Sequence, residues 1–597
     1  MRVLRNDKDD WRAEPVEGPL DEAISWGSDV PAAMLRALDI PYIALTPGAS
    51  YRGFHDSLVN HLGNRDPEII LCAHEEHAVA VAHGYAKATG RAIAVALHSN
   101  VGLMHGTMAI FNAFCDRAPM LILGATGPMD ATERRPWIDW LHTSQDQAAL
   151  ARPFLKWDDQ PGSVGAVPEA MLRGWKAAMT APCGPVYINL DASGQEAPLD
   201  SPPALPDPAR FAAPEPAGPA PGALARAAAV LDAAERPVIL FGRGARTAEA
   251  MAARVALAER LGAAMLSDLK AGAMVPTDHP NHVGKPFNKL SPVAAEALRG
   301  ADAILSLGWI DLGGVLHQAF GDTAPDASII HAGLDHQLAG GWGKEHFALP
   351  PVDVELNCEA DAAVSALLAA VTGPARPAPA RAATAPREKG PREGLTLGDV
   401  ARALKAAVGD QPVTFPALAR GWPVDVWPHR HPLDYLGKDG GGGIGSGPGL
   451  TVGAALALKD SGRLVVGSLG DGDTLMGINA LWTAAKYRLP ALFLINNNRS
   501  YYNDELHQER VAIARGRNTA NAWVGQRLED PAPDFAGLAR AQGIEAAGPI
   551  TDAAALAEAL ETAVATLRDG RPYLVDVLVD GRQDREDAVP RATKGAA

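Results

Sequence analysis

The chain has 597 residues, enough for about three or four domains with a core each, and its composition, 47% hydrophobic and 21% charged, is typical of a globular enzyme. A formal net charge of −16 and the lack of any Lys/Arg-rich run argue against a nucleic-acid partner. No apolar signal segment or membrane-length apolar run is found, and the four cysteines lack metal-ligand or redox spacing, so we expect a cytoplasmic protein without a disulfide framework.

The first third of the chain alternates apolar strands with helical patterns. We predict strands at residues 42–45, 69–72, 92–97, 120–123 and 186–190. Such alternation is typical of a doubly wound parallel sheet, because each parallel strand pair needs a crossover helix. We place this first domain at residues 21–195, after a polar arm of about 20 residues.

A second α/β unit is predicted at residues 223–372, beyond a proline-rich linker at 196–222. The turn at residues 242–245 carries two of the three glycines of a dinucleotide-binding loop, and no convincing ribose-binding acid follows. We therefore predict a Rossmann-like middle domain and assign it no nucleotide.

The third unit, residues 394–582, follows a second linker at 373–393. A strand at 463–469 leads into a Gly-Asp-Gly-Asp-Thr segment, a helix is predicted over 477–487, and a strand at 490–495 leads into three asparagines. The segment residues are Gly470, Asp471, Gly472, Asp473 and Thr474.

This strand–helix–strand pattern brings Asp471 and Asn498 to the same sheet edge, although 27 positions separate them. A carboxylate and an amide oxygen suit Mg²⁺, which lets phosphate oxygens complete its coordination. The glycines allow backbone N–H groups to approach a diphosphate closely. The alternative is a Gly-Asp-Gly turn beside an unrelated polar turn.

This motif resembles that of thiamine diphosphate (ThDP) enzymes of the benzoylformate decarboxylase and acetolactate synthase type. The resemblance covers nearly the whole chain, since three α/β units joined by two linkers match pyrimidine-binding, Rossmann-like middle and diphosphate-binding domains. It implies that ThDP and Mg²⁺ are bound, with Asp471, the Asn498 side chain and the Ser500 carbonyl on the metal. Residues 470–474 would then cradle the diphosphate.

The resemblance also implies residues for the organic part of the coenzyme. Glu75 lies nine residues before Gly84-Tyr85-Ala86, as the family's catalytic glutamate does, and would share a proton with the pyrimidine N1′. Gly442 would accept from the 4′-amine through its carbonyl, and Ile444 would bend the coenzyme. The alternatives are a helix N-terminal acid at Glu75 and a flexible loop at Gly442 and Ile444.

His98 resembles the histidine that benzoylformate decarboxylase places after the corresponding strand, where it would relay protons; the alternative is a strand-end capping histidine. His74 and His77 do not form a metalloprotease motif, because its second histidine would have to stand at Ala78.

The implied activity is cleavage of a C–C bond next to a carbonyl, chiefly decarboxylation of a 2-oxo acid through an enamine. The alternatives are an acetolactate-synthase-like carboligase and a non-catalytic ThDP-binding relative. A homodimer or homotetramer with sites between subunits is also implied. Departures from the family pattern at Ala49 (with Ser50 next), at 414–419 and at 309–311 leave the substrate open and weaken the case for FAD.

Overall fold

A computed structural model describes residues 14–287, 289–337, 349–379, 394–438 and 440–580. These residues form three parallel β-sheets covered by helices, which confirms the predicted fold class of three doubly wound α/β units. Most of the predicted N-terminal arm, most of the second linker and the charged tail lie outside the described residues. The predicted domain boundaries stay predictions.

The first sheet has six strands whose buried runs lie between two helix layers. Its strands are β1 (Tyr42–Leu45), β2 (Glu68–Leu71), β3 (Ala94–Leu97), β4 (Met120–Thr126), β5 (Trp157–Asp159) and β6 (Pro185–Asp191). Its helices are α1 (Asp29–Ala37), α2 (Arg52–Asp56), α3 (Glu75–Thr89), α4 (Ser99–Asp116), α5 (Asp139–His142), α6 (Val167–Met179) and α7 (Ala192–Glu196). The strand order is β2-β1-β3-β4-β6-β5, so the carboxyl ends of β2 and β3 flank that of β1.

The middle sheet has five parallel strands and, like the first sheet, is doubly wound. They are β7 (Pro237–Phe241), β8 (Ala264–Ser267), β9 (Ala303–Leu307), β10 (Ser328–Ala332) and β11 (Val354–Leu356), in the order β11-β10-β9-β7-β8. The helices are α8 (Pro221–Ala233), α9 (Ala248–Leu261), α10 (Pro292–Arg299), α11 (Leu312–Phe320) and α12 (Ala360–Ala370).

The third sheet positions the predicted metal motif. Its strands are β12 (Val413–Thr414), β13 (Leu464–Gly470), β14 (Ala491–Asn497), β15 (Glu545–Ile550) and β16 (Tyr573–Leu578), in the order β12-β13-β14-β16-β15. Its helices are α13 (Leu397–Val408), α14 (Gly447–Leu458), α15 (Asp471–Met476), α16 (Ala480–Lys486), α17 (Tyr502–Ala514), α18 (Phe535–Ala541) and α19 (Ala553–Arg568).

The helix predicted over 477–487 corresponds to α16, which begins three residues later than predicted, at Ala480. Sequence analysis missed the preceding helix, α15, which begins at Asp471 directly after the strand and is separated from α16 by residues 477–479. Gly470 is extended and caps α15, and the two aspartates of the first turn suit the positive end of the helix. Asp471 therefore lies at a helix N-terminus as well as at a strand end.

The first and third domains pack through α3 and α14. Glycines allow the two helix backbones to touch: a Cβ on Gly84 would lie 2.2 Å from the Leu450 carbonyl oxygen, and one on Gly453 would lie 2.0 Å from that of Val81. One buried apolar cluster continues across this contact. It fixes the start of α3, where Glu75 stands, relative to the third sheet.

Candidate functional site

The carboxyl ends of β13 and β14 bring Asp471 and Asn498 together, as the strand–helix–strand pattern predicts. Gly470 pairs with Asn496 in the sheet, so the residues that follow both strands emerge at one edge. The backbone N–H of Ser500 donates both to Asp471 Oδ2 and to Asn498 Oδ1, each at 3.0 Å. The two side-chain oxygens therefore lie beside the same donor.

The other two asparagines serve the fold. Asn496 Nδ2 donates to Ser468 Oγ at 2.9 Å, and Asn497 Nδ2 donates to Asp576 Oδ1 at 3.0 Å. These bonds tie β14 to the strands on either side and leave Asn498 as the asparagine that faces Asp471.

Asp471 is a buried carboxyl group in need of a cation. Burial raises its pKa, while backbone N–H donors, first Gly472 and Ser500, oppose the rise. Within the described ranges, no Lys, Arg or His forms an ion pair with Asp471. A hard divalent cation held by Asp471, the Asn498 amide oxygen and backbone oxygen would balance this charge, so the residues present fit Mg²⁺.

The remaining residues of the Gly-Asp-Gly-Asp-Thr segment bond within the protein. Asp473 Oδ1 accepts from the N–H groups of Gly445 at 2.6 Å and Gly447 at 3.4 Å, and Thr474 Oγ1 donates to the Gly470 carbonyl at 2.8 Å. A Cβ on Gly472 would lie 2.4 Å from the Tyr501 ring. These side chains are thus used in the fold, so a diphosphate at this segment would have to be met by backbone N–H groups.

The glycine-rich loop before α14 lies along α4. Asn112 Nδ2 donates to the Gly443 carbonyl at 3.2 Å, and Asn112 Oδ1 accepts from the Gly443 N–H at 3.3 Å. A Cβ on Gly441 would lie 2.4 Å from Asn112 Oδ1. The loop is therefore held by close contact with a helix, and it presents Gly442, with φ +70°, and the 44% exposed Ile444 beyond that contact.

Glu75, the first residue of α3, is buried against α4. Glu75 Oε2 lies 3.0 Å from His105 Nδ1, and a Cβ on Gly102 would lie 3.3 Å from Glu75 Oε1. His74 caps the helix, because its Nδ1 accepts from the Glu76 N–H at 3.1 Å. Glu76 faces the other way, toward Gly445, and its pKa is raised by burial and then by Asp473.

His98 directly follows β3 as the N-cap residue of α4, and its Nδ1 lies against Ser50. The Ser50 N–H donates to Nδ1 at 3.3 Å, and the Ser50 hydroxyl lies 2.9 Å from the same atom. Because a backbone N–H can only donate, neutral His98 carries its proton on Nε2. Its pKa is lowered by burial and then by His142, whose ring meets that of His98 edge-on at 4.7 Å. Neutral His98 therefore offers Nε2–H as a donor.

In the part of the chain that the structure describes, the two halves of the predicted site make no direct polar contact with each other. Among the described residues, no hydrogen bond or ion pair joins Glu75 or His98 to Asp471, Asn498 or Ser500. Glu75 and His98 form one group on the first domain, and the oxygen ligands form another on the third.

Sequence analysis missed Ser50, His105 and Asn112 as parts of the site. A signal for two of them was present, since His105, Asn112 and Asp116 recur at spacings of seven and four in a largely apolar helix and so share one face of α4. Ser50 was noted only as a departure from the family pattern.

His74, Glu75 and His105 place ligand-type atoms within 4.8 Å of one another. The His74 and His105 rings are stacked, with centroids 4.9 Å apart and an interplanar angle of 18°. A metal ion lies in the plane of an imidazole that binds it, so two nearly parallel stacked rings do not point at one ion. We assign no metal to these residues.

In the middle domain, a backbone N–H of the loop that resembles a dinucleotide-binding turn is already bonded within the protein. The Ala245 N–H donates to Asp361 Oδ2 at 2.7 Å, and Arg254 pairs with the same carboxylate. A Cβ on Gly242 would lie 2.0 Å from the Gly308 carbonyl, so this glycine is explained by close backbone packing. Asp311, in the segment at 309–311, caps α11 through the Gly314 N–H.

Comparison with known proteins identifies the family. Three models of the thiamine pyrophosphate enzyme family match: the N-terminal TPP binding domain at residues 25–150, the central domain at 224–367 and the C-terminal TPP binding domain at 419–577. Benzoylformate decarboxylase of Pseudomonas aeruginosa is 30% identical over 530 residues, covering 86% of this chain and 92% of that protein. The chain belongs to the thiamine pyrophosphate enzyme family.

Other similar proteins are named as acetolactate synthases or as benzoylformate decarboxylases. A probable acetolactate synthase large subunit of Methanocaldococcus jannaschii is 25% identical, covering 92% of this chain and 91% of that protein. A benzoylformate decarboxylase structure from Polynucleobacter necessarius shares the fold, with a TM-score of 0.78 at 20% identity over 93% of this chain and 99% of that one. These names are consistent with the predicted enzyme class, a lyase or carboligase.

Proposed function

We propose that the protein is a ThDP- and Mg²⁺-dependent lyase that decarboxylates a 2-oxo acid. The observation that carries the proposal is that Asp471 and Asn498 place two side-chain oxygens at one sheet edge, where the buried Asp471 carboxyl group forms no ion pair with a basic side chain of the described residues. Family membership supports the coenzyme, and the benzoylformate decarboxylase relative supports the reaction.

When bound, the coenzyme supplies a nucleophilic carbon and an electron sink for the electrons of the broken C–C bond. The chain's own residues hold it and move protons. Asp471, Asn498 and Ser500 would hold Mg²⁺ and the diphosphate, Gly442 and Ile444 would position the rings, and Glu75 would exchange a proton with the pyrimidine. His98 donates from Nε2 to the substrate and takes the proton back.

Product analysis tests the reaction. The protein, loaded with ThDP and Mg²⁺, is incubated with pyruvate, benzoylformate and a panel of other 2-oxo acids, and products are identified by NMR. We expect CO₂ and the matching aldehyde from at least one acid, and loss of both in Glu75→Gln. If no 2-oxo acid is consumed while the coenzyme binds and its thiazolium C2 proton fails to exchange, the protein is a non-catalytic relative.

A carboligase is the second candidate, because several relatives are named acetolactate synthases. Attack on a second carbonyl compound would give a longer hydroxy-ketone product in place of an aldehyde. Repeating the incubations with an added aldehyde or second 2-oxo acid separates the two activities by the carbon count of the product.

The proposal includes a homodimer or homotetramer, supported by the lack, among the described residues, of any hydrogen bond or ion pair between the two residue groups. It also includes a cytoplasmic location, supported by four free cysteines. Within the described ranges, no helix combines the length and apolar character needed to cross a bilayer.

A further inference from the structure

Glu75 has a close polar partner, His105, that the proposed mechanism does not use. His105 Nδ1 lies 3.0 Å from Glu75 Oε2, and this is the one hydrogen bond of the Glu75 carboxyl group among the described residues. The carboxyl group is mostly enclosed, with 11% of the side chain exposed, whereas 59% of the His105 side chain is exposed. The mostly buried Glu75 carboxyl group is therefore hydrogen-bonded to the His105 ring, which reaches the surface.

The fold holds the His105 ring in place against Glu75. His105 stacks on His74, and His74 is itself fixed by the bond from the Glu76 N–H. Gly102 stands three residues earlier on α4 and so on the same helix face. Because Gly102 has no side chain, the carboxyl group can enter the notch between it and the histidine.

We propose that His105 is a positioning residue that sets where Glu75 carries its proton; this rests on the proposed function, in which Glu75 gives that proton to the coenzyme. The Nδ1–H of His105 donates to Oε2 and occupies that oxygen. The proton of the neutral carboxyl group is then carried on Oε1, the oxygen left free to meet the pyrimidine.

The same bond favours delivery of the proton. When Oε1 releases its proton to the ring nitrogen, Glu75 becomes a carboxylate, and a hydrogen bond to an ionised acceptor is shorter and stronger than one to a neutral acceptor. His105 keeps its own proton throughout, and the proton returns to Oε1 when the step reverses. The histidine thus stabilises the state after transfer more than the state before it.

Two variants separate this role from a packing role. His105→Phe keeps a ring that can stack on His74 and removes the N–H donor, whereas His105→Asn supplies an N–H donor without the ring. Thr107→Ala is the matched control on α4, because among the described residues the Thr107 hydroxyl bonds only the Leu103 carbonyl of its own helix.

The readouts are the rate of hydrogen–deuterium exchange at the thiazolium C2 of bound ThDP, measured by quenched NMR, and the Kd for ThDP at saturating Mg²⁺. For His105→Phe we expect exchange to slow about tenfold or more, with Kd changed less than about threefold. His105→Asn should recover most of the lost rate, and Thr107→Ala should match wild type.

Exchange in His105→Phe within about twofold of wild type overturns the proposal. So does a loss of ThDP affinity as large as the loss of rate, or an asparagine variant as slow as the phenylalanine variant, since both indicate that the ring acts by packing. Failure of the proposed function looks different: wild type itself would not bind ThDP, or would not speed its exchange over that of free coenzyme.

Discussion

At the scale of single residues, the buried Asp471 carboxyl group allows the most direct test of the proposed cation site. Asp471→Asn keeps the shape and one oxygen of the side chain and removes its charge. We expect at least a tenfold loss of ThDP affinity at fixed Mg²⁺, because two neutral amides hold a hard cation poorly. Titration of ThDP into wild type and variant at several Mg²⁺ concentrations measures this.

Asp530→Asn is the matched control, an aspartate of the same domain whose carboxylate has no part in the proposed cation site. It should bind ThDP with the wild-type dependence on Mg²⁺. If Asp471→Asn kept wild-type affinity, the proposed ligand set would be wrong.

The candidate site residues that sequence analysis could place without the family resemblance are those whose positions follow from strand ends. Asp471 and Asn498 follow two neighbouring parallel strands, so alternation of strands and helices was enough to place them together. His105 and Asn112 could not be assigned partners in the same way. Each bonds a residue far away in sequence, Glu75 and Gly443, across a contact between elements that local patterns do not fix.

At the scale of elements, the loop before α14 depends on glycine because it lies on a helix. Gly441→Ala would push a methyl group into Asn112 Oδ1 and so displace the Gly443 bonds. We expect a fall in ThDP affinity of about tenfold, with a fall in Tm of only a few degrees, because the contact is local. Binding titration and thermal unfolding measure the two effects.

Gly222→Ala serves as the control, since a Cβ there would meet only the tip of Arg226, at 3.9 Å. It should leave both ThDP affinity and Tm near wild type. Equal ThDP affinities for Gly441→Ala and wild type would show that the loop adapts. In the sequence alone, a flexible loop was the alternative explanation for the glycines before α14. Glycine is favoured both where a loop is flexible and where two backbones approach closely.

At the scale of the whole molecule, basic side chains join the three domains. Lys87 of the first domain bonds the Gly437 carbonyl of the third at 3.0 Å, and Arg246 of the middle domain bonds the Leu436 carbonyl at 2.7 Å. Arg243 of the middle domain bonds the Cys115 carbonyl of the first at 2.6 Å. All three contacts lie just before the glycine-rich loop or at the end of α4, so domain packing and site geometry are coupled.

The junction of middle and third domains should be sensitive to acid. His429 is buried, its backbone exchanges hydrogen bonds with Thr277, and burial lowers its pKa from 6.5 to about 4. Since the unfolded chain takes up the proton first, this contribution to stability is complete above pH 6.5 and is lost as the pH falls toward 4. Between pH 6.5 and 5 the loss is about 2 kcal/mol.

We therefore expect the Tm of wild type to fall more steeply from pH 7 to pH 5 than that of His429→Gln, whatever the difference between them at pH 7. His55→Gln removes an exposed histidine of α2 and should follow wild type. Parallel curves for wild type and His429→Gln would mean that His429 takes up its proton without unfolding the junction.

Among the described residues, no hydrogen bond or ion pair joins Glu75 to Asp471, and the last prediction is that each site is shared between subunits. Exposed apolar side chains stand near both groups: Met104 on α4, and Met476 and Ile444 beside the metal motif, each at least 44% exposed. Glu75→Gln and Asp471→Asn should each be inactive alone. Co-expressed with different tags and purified as the mixed dimer, they should recover activity, because one site pairs an intact Glu75 with an intact Asp471.

Random pairing makes about half of the dimers mixed, and each mixed dimer has one intact site of its two. The unfractionated mixture should therefore show about a quarter of wild-type activity. Mixed dimers of Glu75→Gln with Glu75→Gln under two tags are the control and should stay inactive. If each site were built within one chain, both sites of the mixed dimer would lack a residue and no activity would return. The recovered fraction therefore distinguishes sites shared between chains from sites within one chain, independently of which 2-oxo acid is the substrate.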